Sequence, residues 1–451
     1  MERLSRPARQ RLLPPPLRIV LGLLVLVASG TILLMLPWVG AERPLYWNEA
    51  LFTATSALSV TGLSIIVPVQ DLTIWGQILL LILIQIGGVG FMVIAVIMFR
   101  LLGRRVSLMA RLALSDSLGL IVPGAILKLT RRVLSTVLAI EGIGAILLWL
   151  HWRNDLGDSQ AAFYAVFHAV SAFCNAGFDL FTGLPDYPTG IPKDNISLLI
   201  LGSLIFLGGL GIPVLADLLT WPKERRFSLH TKITLVVIAF LVTAGGLGIV
   251  LAESRPTGVL VDESWFRRFL MSFFQSISAR TAGFAGIVSF DQLTSASELL
   301  LIVLMFIGCA PASMGGGITT GTFAVLMLAL WGYARGLPNA QIGGRTIAVG
   351  MVRKAAAVLT ISLFLVLLST WLILLTHPEA SLDAAFFEVV SAFATCGLTL
   401  AFTGELNLFG QMVIILMMFW GRLGALTIIV ALAKQQRHQP VVYPEEQILI
   451  G

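Results

Sequence analysis

The stretch Phe52-Thr53-Ala54-Thr55-Ser56-Ala57-Leu58-Ser59-Val60-Thr61-Gly62-Leu63 decides the reading of this chain, because its outline returns three times. The returns end in Asn175-Ala176-Gly177-Phe178, Thr281-Ala282-Gly283-Phe284 and Thr395-Cys396-Gly397-Leu398, so every copy closes on a glycine followed by a large apolar residue. The glycine-to-glycine steps are 115, 106 and 114 residues. A phenylalanine stands ten residues before each glycine, at Phe52, Phe167, Phe273 and Phe387. Serine stands six before three of them, at Ser56, Ser171 and Ser391, and Ile277 holds the remaining slot. A period this regular means one structural unit used four times.

The chain around these copies is built for lipid. Of 451 residues, 57% are hydrophobic and only 12% charged, against about 25% charged in soluble domains. Its Lys and Arg gather at the N-terminus (Arg3, Arg6, Arg9, Arg11), over 100–132, over 223–232, over 335–354, and at Lys434 and Arg437. The loops between carry Glu42, Asp155, Asp158, Asp186, Glu253, Asp262, Glu379, Asp383 and Glu405. This is the positive-inside pattern; it puts both termini and the basic linkers in the cytoplasm, with the protein multi-pass in the plasma membrane. Three cysteines (Cys174, Cys309, Cys396) in apolar contexts make neither a disulfide framework nor a zinc site.

Each unit reads as a spanning helix, a short apolar segment, the glycine turn and a second spanning helix. In unit one these are 17–36, 47–59, 60–64 and 72–99. About a dozen residues cannot cross a ~30 Å hydrocarbon core as a helix, so the short segment is re-entrant from the outside. The other first helices are expected at 133–150, 233–251 and 355–375, and the other second helices at 196–219, 299–331 and 411–432. The units therefore cover 17–100, 133–220, 229–332 and 353–433; 101–132 is a cytoplasmic linker with a surface helix around 104–118, and 434–451 a cytoplasmic tail. The expected fold is an all-α polytopic membrane protein with four such repeats in pseudo-fourfold arrangement around one central pore. The second helices carry small residues at i, i+3 (Gly87/Gly90, Gly208/Gly211, Gly308/Pro311, Gly421/Gly424), a spacing that lets helices approach closely in lipid.

This pattern suits a cation. A desolvated cation needs oxygen ligands, which backbone carbonyls supply, and non-helical backbone at membrane depth is tolerated only where it is buried or lines a water-filled path. Short helices arriving from outside would aim their partly negative C-terminal ends inward. The candidate filter is Val60, Thr61, Gly62; Asn175, Ala176, Gly177; Thr281, Ala282, Gly283; and Thr395, Cys396, Gly397, with K⁺ held by its backbone carbonyls.

On these residues the chain resembles the superfamily of Trk, Ktr and HKT potassium transporters, from Leu17 to Lys434, and most of all the Ktr membrane subunit. The resemblance implies a pore helix and a filter glycine in each repeat, a homodimer with one pore per protomer, and a cytoplasmic ring of nucleotide-binding regulatory subunits. Glycine rather than serine at Gly62 favours potassium over sodium on the same ground. Na⁺ is a candidate activator, and no organic cofactor is expected in this chain.

Unit three departs from the other three. Its second helix is interrupted by Gly308-Cys309-Ala310-Pro311-Ala312-Ser313-Met314-Gly315-Gly316-Gly317-Ile318-Thr319-Thr320-Gly321, where proline and five glycines, three of them consecutive, cannot sustain a straight helix. The stretch fits no phosphate-binding pattern. Its expected role is a flexible intramembrane loop under the filter, a gate in the resembled family, with Gly315, Gly316 and Gly317 at its centre; a merely kinked helix is the alternative. Arg422 takes the slot held by Gly88, Gly209 and Cys309 in the other units, and a charge at that depth faces a cavity or a partner. It is expected to hydrogen-bond loop carbonyls. Arg280 is expected to point away from the axis and tie a pore helix to an outer loop. Glu141 and Glu388 are expected to be hydrogen-bonded buried carboxylates, with a proton or sodium route as the alternative, and His168 is expected to be scaffold.

The leading reading is a potassium-translocating, channel-like subunit and not an enzyme, since no triad, metal cluster or HExxH-type site is present. The competing readings are a sodium- or proton-coupled secondary transporter and a Trk-type K⁺/Na⁺ transporter of low selectivity. Secondary transporters commonly break helices in paired halves; one clear break in this sequence argues against that class.

Overall fold

A computed structural model describes residues 15–90 and 126–424. The surface helix expected at 104–118, most of the linker 101–132 and the tail 434–451 lie outside the described residues. Apart from a two-stranded antiparallel ribbon pairing Gln341–Ile342 with Arg345–Thr346, the described chain is helical.

The first helices run Pro15–Leu34, Ile126–Leu156, Leu229–Glu253 and Val349–Thr376. Among the described residues, 134–156, 229–253 and 349–376 are long and apolar enough to cross a membrane. Their outward faces are oily: Phe240, Leu251, Phe364 and Trp371 are exposed. Such faces are costly in water and ordinary against lipid. The short helices run Trp47–Ser59, Asp158–Phe173, Trp265–Ser278 and Leu382–Ala394. They start from side-chain caps where the sequence supplies them; Ser264 Oγ accepts from Arg267 N, and Ser381 Oγ from Ala384 N. The second helices begin at Ile74, Asn195, Ser295 and Leu408.

Packing is cyclic. Each short helix lies on the first helix of its own unit, and each second helix also packs on the short helix of the next unit. The helix Ile74–Val89 meets Asp158–Phe173, Asn195–Gly209 meets Trp265–Ser278, Ser295–Ile307 meets Leu382–Ala394, and Leu408–Leu423 returns to Trp47–Ser59. Every short helix is buried along the side that carries its phenylalanine: Phe52, Phe167, Phe387 and Phe274 have almost no exposed surface.

Two second helices are broken where one break was expected. In unit three, Ser295–Ile307 and Thr320–Ala334 flank a non-helical stretch, 308–319. In unit two the helix expected over 196–219 is two helices, Asn195–Gly209 and Ile212–Glu224, bent by 99°. The physical reason is a mutual exchange of backbone hydrogen bonds. Ala310 N and Met314 N donate to the carbonyls of Gly209 and Gly208 at 3.2 and 3.5 Å, and Ile212 N donates to Ala312 O at 3.0 Å. The groups freed by one break satisfy those freed by the other. The sequence held a signal in Gly211-Ile212-Pro213, a left-handed glycine followed by a proline at the second position of the next helix.

Candidate functional site

The four glycine turns meet at one place. A methyl group added to Gly177 would lie 2.8 Å from the carbonyl oxygen of Ala282, with Gly283 Cα at 3.1 Å. Added to Gly62, it would collide with Ala176 O; to Gly283, with Cys396 O; to Gly397, with Thr61 O. Each glycine thus abuts the carbonyl one residue before the glycine of the next unit, and the fourth closes on the first. All four glycines have positive φ, between +69° and +95°, so both backbone angle and space demand glycine here.

Two residues earlier, the strain is carried by other side chains. Val60, Asn175, Thr281 and Thr395 all have left-handed backbone, with φ of 59°, 58°, 80° and 51°. For non-glycine residues this costs about 1–3 kcal/mol each, and three of the four are β-branched. In units one and four they close the short helix: Val60 N donates to Ala57 O and Thr61 N to Ser56 O, while Thr395 N and Cys396 N donate to Ala392 O and Ser391 O. Helices ordinarily place glycine in such a left-handed cap. These keep glycine for the contact point and accept strain at the cap, and the strain recurs at the equivalent position of all four units.

The serines fasten the turns. Ser56 Oγ and Ser391 Oγ accept from Gly62 N and Gly397 N at 3.0 Å, and Ser171 Oγ donates to Phe178 O at 2.8 Å. In unit three Ser278 Oγ donates to Phe284 O at 2.6 Å, while Ile277 is only partly buried. The regular spacing read from the sequence is therefore corrected there by one residue. Phe274 is buried where Phe52, Phe167 and Phe387 are, Phe273 is not, and Ser278 takes the serine's place. With that slip, all four short helices contain the same five-residue pattern: Phe52-Thr53-Ala54-Thr55-Ser56, Phe167-His168-Ala169-Val170-Ser171, Phe274-Gln275-Ser276-Ile277-Ser278 and Phe387-Glu388-Val389-Val390-Ser391. The adjacent Phe-Phe and Ile-Ser pairs were the signal in the sequence.

Beneath the ring lies the loop of unit three. A methyl on Gly315 would strike Thr281 Oγ1, and one on Gly316 would come within 2.7 Å of Thr395 Oγ1. Two glycines of the loop thus rest against the left-handed residues of strands three and four. Gly317 is needed for its own backbone, with φ of +81°. Arg422 donates one guanidinium nitrogen to Met314 O in this loop and another to Gly87 O in unit one. The loop carbonyl was expected as its partner; Gly87 was not.

Arg280 differs from expectation. Its guanidinium donates to Gly308 O at 3.3 Å, from both Nε and Nη2, and so ties the third turn to the start of the inner loop rather than to an outer one. The third short helix ends at Ser278, so Arg280 stands past its end, where Gly308 O at the break is within reach. Cys309 Sγ reinforces the tie by donating to Arg280 O. Glu141 is buried and accepts from Gln85 Nε2 at 3.1 Å, and Glu388 accepts from Thr399 and Thr403 hydroxyls. His168 Nε2 lies 2.9 Å from Asp179 Oδ1, beyond the second turn.

A family model described as a cation transport protein, TrkH, matches residues 19–440. The chain belongs to the TrkH family. It is 37% identical over 440 residues to Ktr system potassium uptake protein B of Vibrio alginolyticus, covering 97% of this chain and 95% of that protein. It is 35% identical over 459 residues to the potassium/sodium uptake protein NtpJ of Enterococcus hirae, covering 99% of both. The crystal structure of the potassium transporter TrkH from Vibrio parahaemolyticus superposes with a TM-score of 0.72 at 19% identity, over 95% of this chain and 87% of that one. The relatives of this TrkH-family chain are transport proteins, and two that match nearly its whole length are potassium uptake proteins of the Ktr system.

Proposed function

We propose that this TrkH-family protein carries potassium ions into the cell across the plasma membrane, through a channel-like pore whose selectivity filter is the ring closed by Gly62, Gly177, Gly283 and Gly397. The carrying observation is that ring: each glycine abuts the equivalent carbonyl of the next unit, of Ala176, Ala282, Cys396 and Thr61 in turn. Four carbonyls at equivalent positions around one axis replace the water of a dehydrated cation. The four units over 17–100, 133–220, 229–332 and 353–433 then form a pseudo-fourfold bundle, with both termini cytoplasmic.

Below the ring, the loop through Gly315, Gly316 and Gly317 is the gate, held shut by Arg422. The family's names support potassium as the cargo: two of the relatives are potassium uptake proteins of the Ktr system. By the same likeness the protein works as a homodimer in lipid on a cytoplasmic, nucleotide-binding regulatory ring, so that nucleotide control enters through the partner. A second reading, in which sodium is carried with potassium or activates its uptake, is favoured by the relative described as a potassium/sodium uptake protein. The second broken helix removes one argument against coupled alternating access. The cyclic packing of four like-oriented units still favours a pore over paired inverted halves.

Uptake of K⁺ and Na⁺ into proteoliposomes, wild type against Gly62→Ser, tests the proposal. The added side chain collides with Ala176 O and spreads the first and second strands, so the K⁺/Na⁺ uptake ratio falls by about tenfold, equivalent to roughly 1.4 kcal/mol. An unchanged ratio in folded protein removes the filter assignment.

A further inference from the structure

Each short helix carries a polar residue directly after its buried phenylalanine: Thr53, His168, Gln275 and Glu388, all without exposed surface. A polar group so placed is costly unless it is hydrogen-bonded, and three of the four are bonded to the same thing, the chain just outside their own glycine. Glu388 uses both carboxylate oxygens: Thr399 Oγ1 donates to Oε2 at 2.7 Å and Thr403 Oγ1 to Oε1 at 2.6 Å. These threonines stand two and six residues beyond Gly397. His168 pairs with Asp179, two beyond Gly177, and Asp179 in turn accepts from Phe181 N and Thr182 N. Gln275 Oε1 accepts from Gly286 N at 2.9 Å, three beyond Gly283. Thr53 Oγ1 has no hydrogen-bond partner among the described residues, and beyond Gly62 the chain is held instead by Ser64 Oγ donating to Ile66 O at 2.7 Å.

We propose that this slot is a selectivity brace, and that Glu388 is its principal positioning residue: by clamping Thr399 and Thr403 it fixes the outer limb of the fourth strand and so the spacing of the carbonyl ring. His168 and Gln275 brace strands two and three in the same manner, and the first strand lacks the brace. The inference rests on reading the glycine ring as the filter. Its physical content is that a ring which must refuse the smaller Na⁺ cannot be free to close around it. The serine bonds pin each strand at or just beyond its glycine, whereas the brace pins it further out. In strands two, three and four the two together resist collapse. The sequence and bonding also explain why the slot tolerates such different side chains. What it requires is a buried group reaching two to six residues past the glycine, and an imidazole, an amide and a carboxylate all serve.

The test is the K⁺/Na⁺ uptake ratio of full-length protein in proteoliposomes for Glu388→Leu, Glu388→Gln and the double variant Thr399→Val with Thr403→Val. Glu388→Leu leaves the buried Thr403 and half-buried Thr399 hydroxyls without their carboxylate acceptor and lowers the ratio by about tenfold. Glu388→Gln keeps an acceptor of the same shape and stays within about threefold of wild type. The double threonine variant moves as Glu388→Leu does, and decides the matter alone if Glu388→Leu does not give monodisperse protein. A wild-type ratio in folded Glu388→Leu or in the threonine variant, or a Glu388→Gln ratio as low as that of Glu388→Leu, overturns the brace. Gly62→Ser in the same series separates the two layers. If it shifts the ratio while the Glu388 variants do not, the brace fails and the filter stands; if it too shifts nothing, the filter reading fails beneath the brace.

Discussion

In units one, two and four, a glycine of the second helix is pressed onto the carbonyl that ends its short helix. Gly87 lies against Leu58 O, Gly208 against Phe173 O and Gly421 against Phe393 O, each too close to admit a methyl group. Unit three has no such seat. Its Gly308 faces Gly316 of the inner loop, and its turn is tethered by side chains, through Arg280 to Gly308 O and Cys309 Sγ to Arg280 O. Backbone pressed on backbone cannot shift without a clash. A guanidinium tether can lengthen or swing. On the proposed reading, the three seats at the short-helix ends are the rigid side of the path, and the tethered turn beside the broken helices is its adjustable side.

The largest expected effect comes from cutting the link between the rigid and the adjustable sides. Arg422 joins Met314 O in the unit-three loop to Gly87 O at the seat of unit one. Hydrogen bonds from a charged donor contribute about 1.5–3 kcal/mol each. Arg422→Ala therefore shifts the closed-to-open balance by roughly 10–100-fold. Rubidium tracer uptake into proteoliposomes, measured without regulatory subunits, should rise accordingly. Lysine cannot reproduce the planar fork that reaches two carbonyls at once, so Arg422→Lys falls between. Uptake unchanged in Arg422→Ala would mean that the loop is not what this residue restrains.

Next in size is the seat itself. In Gly421→Ala the new methyl overlaps Phe393 O, and overpacking of this kind costs about 1–3 kcal/mol. The upper part of that range applies, because a helix-end carbonyl cannot turn aside as a side chain can. Gly350 lies in the helix Val349–Thr376 with open space around its Cα, so Gly350→Ala is the matched control and should be neutral or slightly stabilising. Thermal unfolding in detergent should show a clear drop for the first variant and none for the second. Equal melting temperatures would remove the distinction between rigid and tethered seats.

Much of this was legible in the sequence, for reasons that can be named. The short helix 47–59 was placed to the residue, because the glycine turn sets its end and the edge of the apolar run its start. The break after Ile307 was legible because proline and clustered glycine act locally. The break at Gly211 was missed because its cause is a partner: the exchanged bonds with Ala310, Ala312 and Met314 come from about 100 residues away, and local propensity carries no trace of them. The left-handed Val60, Thr281 and Thr395 were missed for the opposite reason. Local preference argues against them, and only the converging strands make them affordable. The direction of Arg280 was misjudged because it follows from the early end of the third short helix at Ser278 and from a break about 28 residues on that brings Gly308 O within reach.

That slip offers the finest discrimination. Counting back from Gly283 assigns the serine slot to Ile277; the hydrogen bonds assign it to Ser278, whose Oγ donates to Phe284 O at 2.6 Å and whose carbonyl accepts from Ala282 N at 2.8 Å. Ser278→Ala leaves the buried Phe284 carbonyl one donor short, a loss of about 1 kcal/mol. The loss falls on the third strand itself, so the K⁺/Na⁺ uptake ratio should drop by roughly threefold to fivefold, as in Ser391→Ala. Ile277→Ala removes three side-chain carbons from a half-buried site packed against both the Leu210 cluster and the main core, and takes no hydrogen bond from the strand. It should lower the melting temperature slightly and leave the ratio alone. The two adjacent alanines thus separate stability from selectivity. The reverse result, a ratio moved by Ile277→Ala and not by Ser278→Ala, would restore the unbroken count and make unit three like the others at the ring.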